Sequence, residues 1–225
     1  MTATGLTDSG AQALILDTLR LVSEDLLLRR TNPWELDEAM MSIGFAVGFC
    51  EAQDQEGLAF SAARRDCFPD NGIRLTVSIL DRMLSEGRLG RSAGVGWYRY
   101  PGGGGLVVDP LVEDLLREEA RFAGVCRSEL EPQDLVQHLT AGMINVLAHR
   151  TDIQDPGTRQ RLNTACVAAI GYPVSKGGLF DSVNNEGASA LCQVLTGAEA
   201  PGGGAWPVAP VLRHLSGRGA GFSQG

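Results

Sequence analysis

Apolar residues return every three or four positions between Ala11 and Arg30: Leu14, Leu16, Leu19, Val22, Leu26 and Leu27, with Asp17, Arg20, Glu24 and Asp25 between them. That spacing predicts a long amphipathic first helix. Thr31 or Asn32 can cap a second helix, in which Pro33 suits the first turn and Glu35 and Asp37 favour the positive end. A glycine-punctuated turn at Gly44 to Gly48 leads into another helical pattern, roughly Cys50 to Arg65. Ile73 to Glu86 then reads as an amphipathic helix with Leu75, Ile79, Leu80, Met83 and Leu84 on one face.

The run Pro101 to Gly105 breaks regular structure and is the predicted domain boundary. It divides the chain into residues 1–100, a glycine-rich linker 101–109, and residues 110–225. Beyond it, helices are predicted at about Pro110 to Phe122, Pro132 to Arg150, Thr158 to Ile170 and Gly178 to Leu195, with a loose tail from Gly202 to Gly204. Strand signals at Val107-Val108 and Gly96 to Tyr98 are too short for a sheet, so the expected fold is all-α. A faint internal repeat fits this layout, each half offering two helices, a glycine-aromatic turn (Gly44-Phe45, Gly171-Tyr172) and a following helix with an Asp (Asp54, Asp181).

Composition narrows the function. The 225 residues are 44% hydrophobic and 20% charged, ordinary for a globular chain that buries a full core. A net charge of −8 and a pI near 4.9 exclude a phosphate-seeking surface, so no nucleic-acid partner is expected. No run of eighteen apolar residues suggests a membrane span, and the opening MTATGLTDSG lacks the parts of a secretion signal, so a cytoplasmic protein is expected. Cys50, Cys67, Cys126, Cys166 and Cys192 form no C-x-x-C pair, and His138, His149 and His214 lie far apart. Small buried thiols in a reducing compartment are expected, not a zinc site.

The most specific stretch is EGRLGRSAGVGWYRY, Glu86 to Tyr100. It resembles the signature of the 3-hydroxyacyl-CoA dehydrogenase C-terminal domain. Gly44 to Leu58, GFAVGFCEAQDQEGL, is similar to the family's glycine turn, matching at Gly44, Phe45, Gly48, Glu51, Asp54, Gly57 and Leu58. Asn145, the GYPVSKGGLF segment and the closing AWPVAPVLRHLSGRGAGF resemble, in the same order, the end of the multifunctional fatty-acid-oxidation enzymes. The resemblance implies two tandem helical repeats of the 6-phosphogluconate dehydrogenase C-terminal-like type. In the family a Rossmann domain carries the nicotinamide and a His-Glu acid/base pair.

These residues contain neither the His-Glu segment nor a glycine fingerprint after a strand, because Gly90, Gly94 and Gly96 follow a helix. The chain is therefore expected to bind no cofactor itself and to meet NAD only through a partner subunit. Ungapped alignment puts Ala13 and Leu14 where the family has the Asn and Arg of its first helix, making that edge apolar. Ala13, Leu14, Gly44, Phe45, Gly48, Glu51 and Lys176 form the candidate surface for a partner or an acyl-CoA ligand.

Each of these also has a plainer reading. Gly44, Gly48, Gly94 and Gly96 permit tight turns; Phe45, Trp97, Tyr98, Tyr172 and Phe180 suit the core or the repeat interface. Lys176, the one lysine, suits either a CoA phosphate or solvent. Asp54 and Asp181 suit local caps or pairs, and Asn145 a hydrogen-bonded core group between the halves. Two functions follow from the resemblance: an accessory subunit completing a Rossmann-domain acyl-CoA dehydrogenase, or a non-catalytic binding or scaffold protein descended from that domain. A new enzymatic activity has no acid/base or nucleophile constellation behind it.

Overall fold

In a computed structural model of the chain, the described residues are 6–63, 79–181, 187–197 and 207–218, and they form ten α-helices. The first, α1 (Asp8–Arg29), starts where the Thr7 hydroxyl accepts the Gly10 N–H at 3.1 Å. It is central. Helices α2 (Pro33–Ser42), α6 (Pro110–Phe122), α7 (Pro132–Arg150) and α8 (Pro156–Ile170) all pack on it. The predicted polar face of α1 is therefore enclosed: Asp17, Arg20 and Glu24 are 6%, 5% and 1% exposed. Enclosure is tolerated because the charges pair, Arg20 with Asp17 at 2.8 Å and with Glu24 at 3.1 Å, and Arg150 of α7 with Asp17.

The two long first helices of the halves, α1 and α7, cross at Gly142, where an added Cβ would sit 2.7 Å from Val22 Cγ1. Only glycine lets the backbones approach this closely. Arg127 ties the far end of α1, donating to the carbonyls of Leu27, Leu28 and Thr31 at 2.6, 2.7 and 2.7 Å, groups that a helix end leaves unpaired. One apolar cluster runs through both halves, from Leu14 and Leu27 through Met83 and Trp97 to Ile144 and Leu212.

Several boundaries differ from the periodicity. The helix predicted over Cys50 to Arg65 is split at Gly57, φ +95°, into α3 (Phe49–Glu56) and α4 (Leu58–Ala63). Only α5 (Ile79–Ser85) of the predicted Ile73 to Glu86 helix lies within the described residues; Leu75, Arg65, Cys67, Gly202 to Gly204, Trp206 and Phe222 lie outside them. The helix predicted from Gly178 is replaced at Leu179-Phe180 by a turn, and α9 is Gly187–Gly197. The last helix, α10 (Pro210–Gly217), packs on α9.

The glycine-rich segment folds back on the residues before it. Pro101–Gly103 make one 3-10 turn. Arg99 and Val107 then exchange backbone hydrogen bonds at 2.9 and 2.8 Å. Asp109, 3% exposed, caps α6 through the Leu111 N–H and pairs with Arg88. No helix among the described residues is long and apolar enough to cross a membrane.

Candidate functional site

The signature stretch is held by two aspartates on two different helices. Asp54 of α3 accepts the Trp97 and Tyr98 N–H groups at 2.8 and 2.9 Å and the Tyr100 hydroxyl at 3.0 Å. Its neighbour Gln53 accepts the Trp97 indole N–H at 2.8 Å. A Cβ on Gly96 would fall 1.9 Å from Asp54 Oδ1, so the second glycine of Gly-x-Gly is where the loop must close on the carboxylate. Asp37 of α2 accepts the Cys50 and Glu51 N–H groups at 2.8 and 2.9 Å, capping α3, and the Tyr98 hydroxyl at 2.9 Å. Tyr98 thus bridges both carboxylates, and the partners of Asp54 lie more than forty residues away. The expected local role of Asp54 is corrected to a long-range clasp.

The electrostatics of the clasp are dominated by burial. Burial pushes the Asp37 carboxyl up to about 6 against the lowering effect of its three donors. Burial likewise raises Asp54, outweighing the Trp97, Tyr98 and Tyr100 donors and Arg88. The Tyr98 and Tyr100 phenols are raised by burial and by the neighbouring aspartates, so they stay protonated. Burial also raises the Cys50 thiol well above its ordinary value and pushes Cys166 to about 12. Neither is a thiolate nucleophile at neutral pH. Among the described residues no group of three or more His, Cys, Asp or Glu side chains is placed to hold a metal ion.

The glycine-aromatic turns of the two halves meet. Phe45 and Tyr172 stand edge to face, ring centroids 5.6 Å apart, and Pro173 lies against Gly44. In the second half Asn163 of α8 takes the part Asp37 has in the first: its Oδ1 accepts the Phe180 N–H at 3.0 Å, and its amide donates to Asp181 at 3.0 Å. Asp181 pairs across eighteen residues, again not locally. Asn145 is buried and hydrogen-bonded as expected, but to Pro207 O and Ala209 N at 3.2 and 2.8 Å. It anchors the segment before α10 rather than the contact between halves.

The candidate surface is only partly a surface. Leu14, Phe45 and Gly48 are buried, Leu14 at 3% and Phe45 at 6% exposure; Ala13 and Glu51 are half-buried; Gly44 and Lys176 are exposed. Leu14 is corrected from docking residue to core residue, because α1 is enclosed at that level. Lys176 sits in the 3-10 turn Val174–Lys176, three residues past the proline that touches Gly44.

Close by lies a groove of about 270 Å³ whose walls come from α1, α2, the Val47-Gly48 turn, α3, α4 and the end of α8. Leu16, Leu19, Met40, Phe49 and Ile170 make it mainly apolar, and Arg20 lies in its wall. Of the candidate residues only Gly48 lines it. Sequence reasoning missed Arg20 here. Its available signal was the run Asp17, Arg20, Glu24 at spacings of three and four inside an apolar helix, which fits a paired internal network as well as a solvated face.

Residues 12–100 match the family model of the 3-hydroxyacyl-CoA dehydrogenase C-terminal domain. The peroxisomal fatty acid beta-oxidation multifunctional protein of Oryza sativa is 28% identical over 152 residues, covering 65% of this chain and 21% of that protein. The fatty acid oxidation complex subunit alpha of a Shewanella species is 25% identical over 198 residues, covering 85% and 27%. The chain therefore spans between a fifth and a third of the length of these relatives. Among solved structures, the dehydrogenase part of multifunctional enzyme 1 from C. elegans superposes with a TM-score of 0.61 at 18% identity, covering 93% of this chain and 48% of that one. The 3-hydroxybutyryl-CoA dehydrogenase of Escherichia coli gives 0.56 at 15%, covering 94% and 59%. Both share the helical fold.

Proposed function

We propose that this chain is the helical platform of a 3-hydroxyacyl-CoA dehydrogenase-type enzyme of acyl-CoA metabolism in the cytoplasm, an accessory subunit that completes the cleft of a Rossmann-domain partner. Residues 1–100 and 110–225 are its two repeats, joined by 101–109. The observation that carries the reading is the match of residues 12–100 to the dehydrogenase C-terminal domain. The use of Asp37, Asp54, Tyr98 and Tyr100 in one buried clasp supports a platform role, because their hydrogen bonds serve to hold the signature loop on the helices.

The partner brings NAD and the acid/base pair. Its docking edge includes half-buried Ala13 and Glu51 and exposed Gly44, with Lys176 beyond. The test is a titration of the purified chain into a Rossmann-domain dehydrogenase subunit encoded beside it, following NAD reduction with 3-hydroxybutyryl-CoA. The mixture is expected to turn over faster than the sum of its parts. Absence of both association and stimulation overturns the reading. Association without stimulation supports the second reading, a non-catalytic binding or scaffold protein, which Ala13 favours because a methyl group cannot hydrogen-bond a substrate oxygen.

A further inference from the structure

We propose that helix α6 is the contact through which two copies of this chain associate, packed antiparallel about a two-fold axis. The proposal does not depend on a Rossmann partner. Helix α6 carries two apolar stripes. Val112, Leu116 and Ala120 recur every four residues and are buried on the side that meets α1 and α5. Leu111, Leu115 and Phe122, spaced by four and seven, line a second stripe about 120° round the helix. Leu115 is half-buried, but Leu111 is 61% and Phe122 71% exposed, and Val108, just ahead of the Asp109 cap, is 39% exposed. From Leu111 to Phe122 the stripe runs about 16 Å along the axis. Large apolar side chains aligned and bared on one helix mark an interaction site, as scattered ones do not.

The charges beside the stripe decide the occupant. Asp114 and Arg121 lie on one flank of it, seven residues apart. The Asp114 side chain is 67% exposed and makes one loose pair, with Arg117 at 3.6 Å, among the described residues. The Arg121 guanidinium stands 5.3 Å from the Phe122 ring, which holds the cation at the edge of the stripe. A two-fold antiparallel pairing sets Phe122 of each copy on Leu111 of the other. The same register brings Asp114 of each copy beside Arg121 of the other, so opposite charges meet twice. Leu115 then meets the stem of Glu118, whose carboxylate faces Arg82 at 3.6 Å. A parallel pair would instead set Asp114 against Glu119 of the second copy, like against like, and would part Leu111 from Phe122. The face is complementary to itself in the antiparallel sense, so a second copy of this chain fits it.

The experiment is sedimentation equilibrium of the full chain from about 5 to about 200 µM. A reversible monomer–dimer equilibrium with a Kd of about 1–100 µM is expected, because the contact is small. Leu111→Glu and Phe122→Glu should each weaken the dimer at least about tenfold. Both positions are exposed, so the helical dichroism and the urea midpoint should stay unchanged. Asp114→Arg should weaken the dimer about three- to tenfold by opposing like charges, and adding Arg121→Asp should restore it. The proposal is overturned if the wild-type chain is a monomer at about 200 µM, which would leave the face to a foreign helix, or if it grows past a dimer, since a two-fold contact closes at two copies. It is overturned equally if folded Leu111→Glu or Phe122→Glu dimerises as well as wild type, or if the charge swap recovers nothing. None of these results alters the partner titration described above.

Discussion

Asp54 is a single side chain that holds three residues, Trp97, Tyr98 and Tyr100. Its oxygens hold two backbone N–H groups and a phenol in a site 1% exposed. Asp54→Asn keeps the shape but puts an NH2 against donors, so it should cost about 2–3 kcal/mol in urea unfolding. A loss under about 0.5 kcal/mol would mean that the clasp contributes little. Asp37 carries a pH signature. Its carboxyl is raised to about 6 in the fold against 3.8 ordinarily, so the fold binds its proton more tightly than the unfolded chain does. Its contribution therefore grows as pH falls through 6 and is gone above it, worth about 1 kcal/mol between pH 7 and pH 5. Asp37→Asn should flatten that part of the stability–pH curve, read from urea midpoints at the two pH values. Leu14→Asp would alter a core position of α1. At 3% exposure it places an unpaired charge in the core and is expected to unfold the chain, seen as loss of the helical dichroism signal.

Helix packing decides the next scale. Alanine is intrinsically favoured over glycine in a helix by about 1 kcal/mol, yet Gly142→Ala should destabilise this chain by about 1–3 kcal/mol. The new methyl would meet Val22 at 2.7 Å and push α7 off α1. Val22→Ala in the same background should recover part of the loss, so the double variant costs less than the two single losses added. Denaturant midpoints of the four proteins check this; strict additivity would mean that the helices do not meet at that point.

At the scale of the molecule, α1 is buried by α7 and α8 from the second half as well as by α2. Residues 1–100 expressed alone would bare the apolar faces around Leu19 and Leu26 and are expected to aggregate or self-associate in sedimentation. A monomeric, folded fragment would show that the halves do not depend on one another. Among the described residues no strand runs into a glycine loop that could cradle a phosphate. Calorimetry with NAD should accordingly give no saturable binding until a Rossmann subunit is present.

Much of this was legible along the chain, where local physics is decisive. Prolines at the first turn of α2, α6 and α7, apolar spacing at helical period and the glycine signature placed most helices and pointed to the family that residues 12–100 match. Asp155 caps α8, which starts at Pro156, two residues ahead of the predicted Thr158, a difference of the local kind. The larger differences are non-local. Asp17, Arg20 and Glu24 look like a solvated stripe until helices from more than a hundred residues away close over them. The partners of Asp54, the burial of Leu14 and the groove beside Arg20 likewise exist only because separate helices converge. Periodicity reports which faces of a helix are apolar; which polar groups are enclosed with a partner depends on what packs against them, and only the tertiary structure decides that.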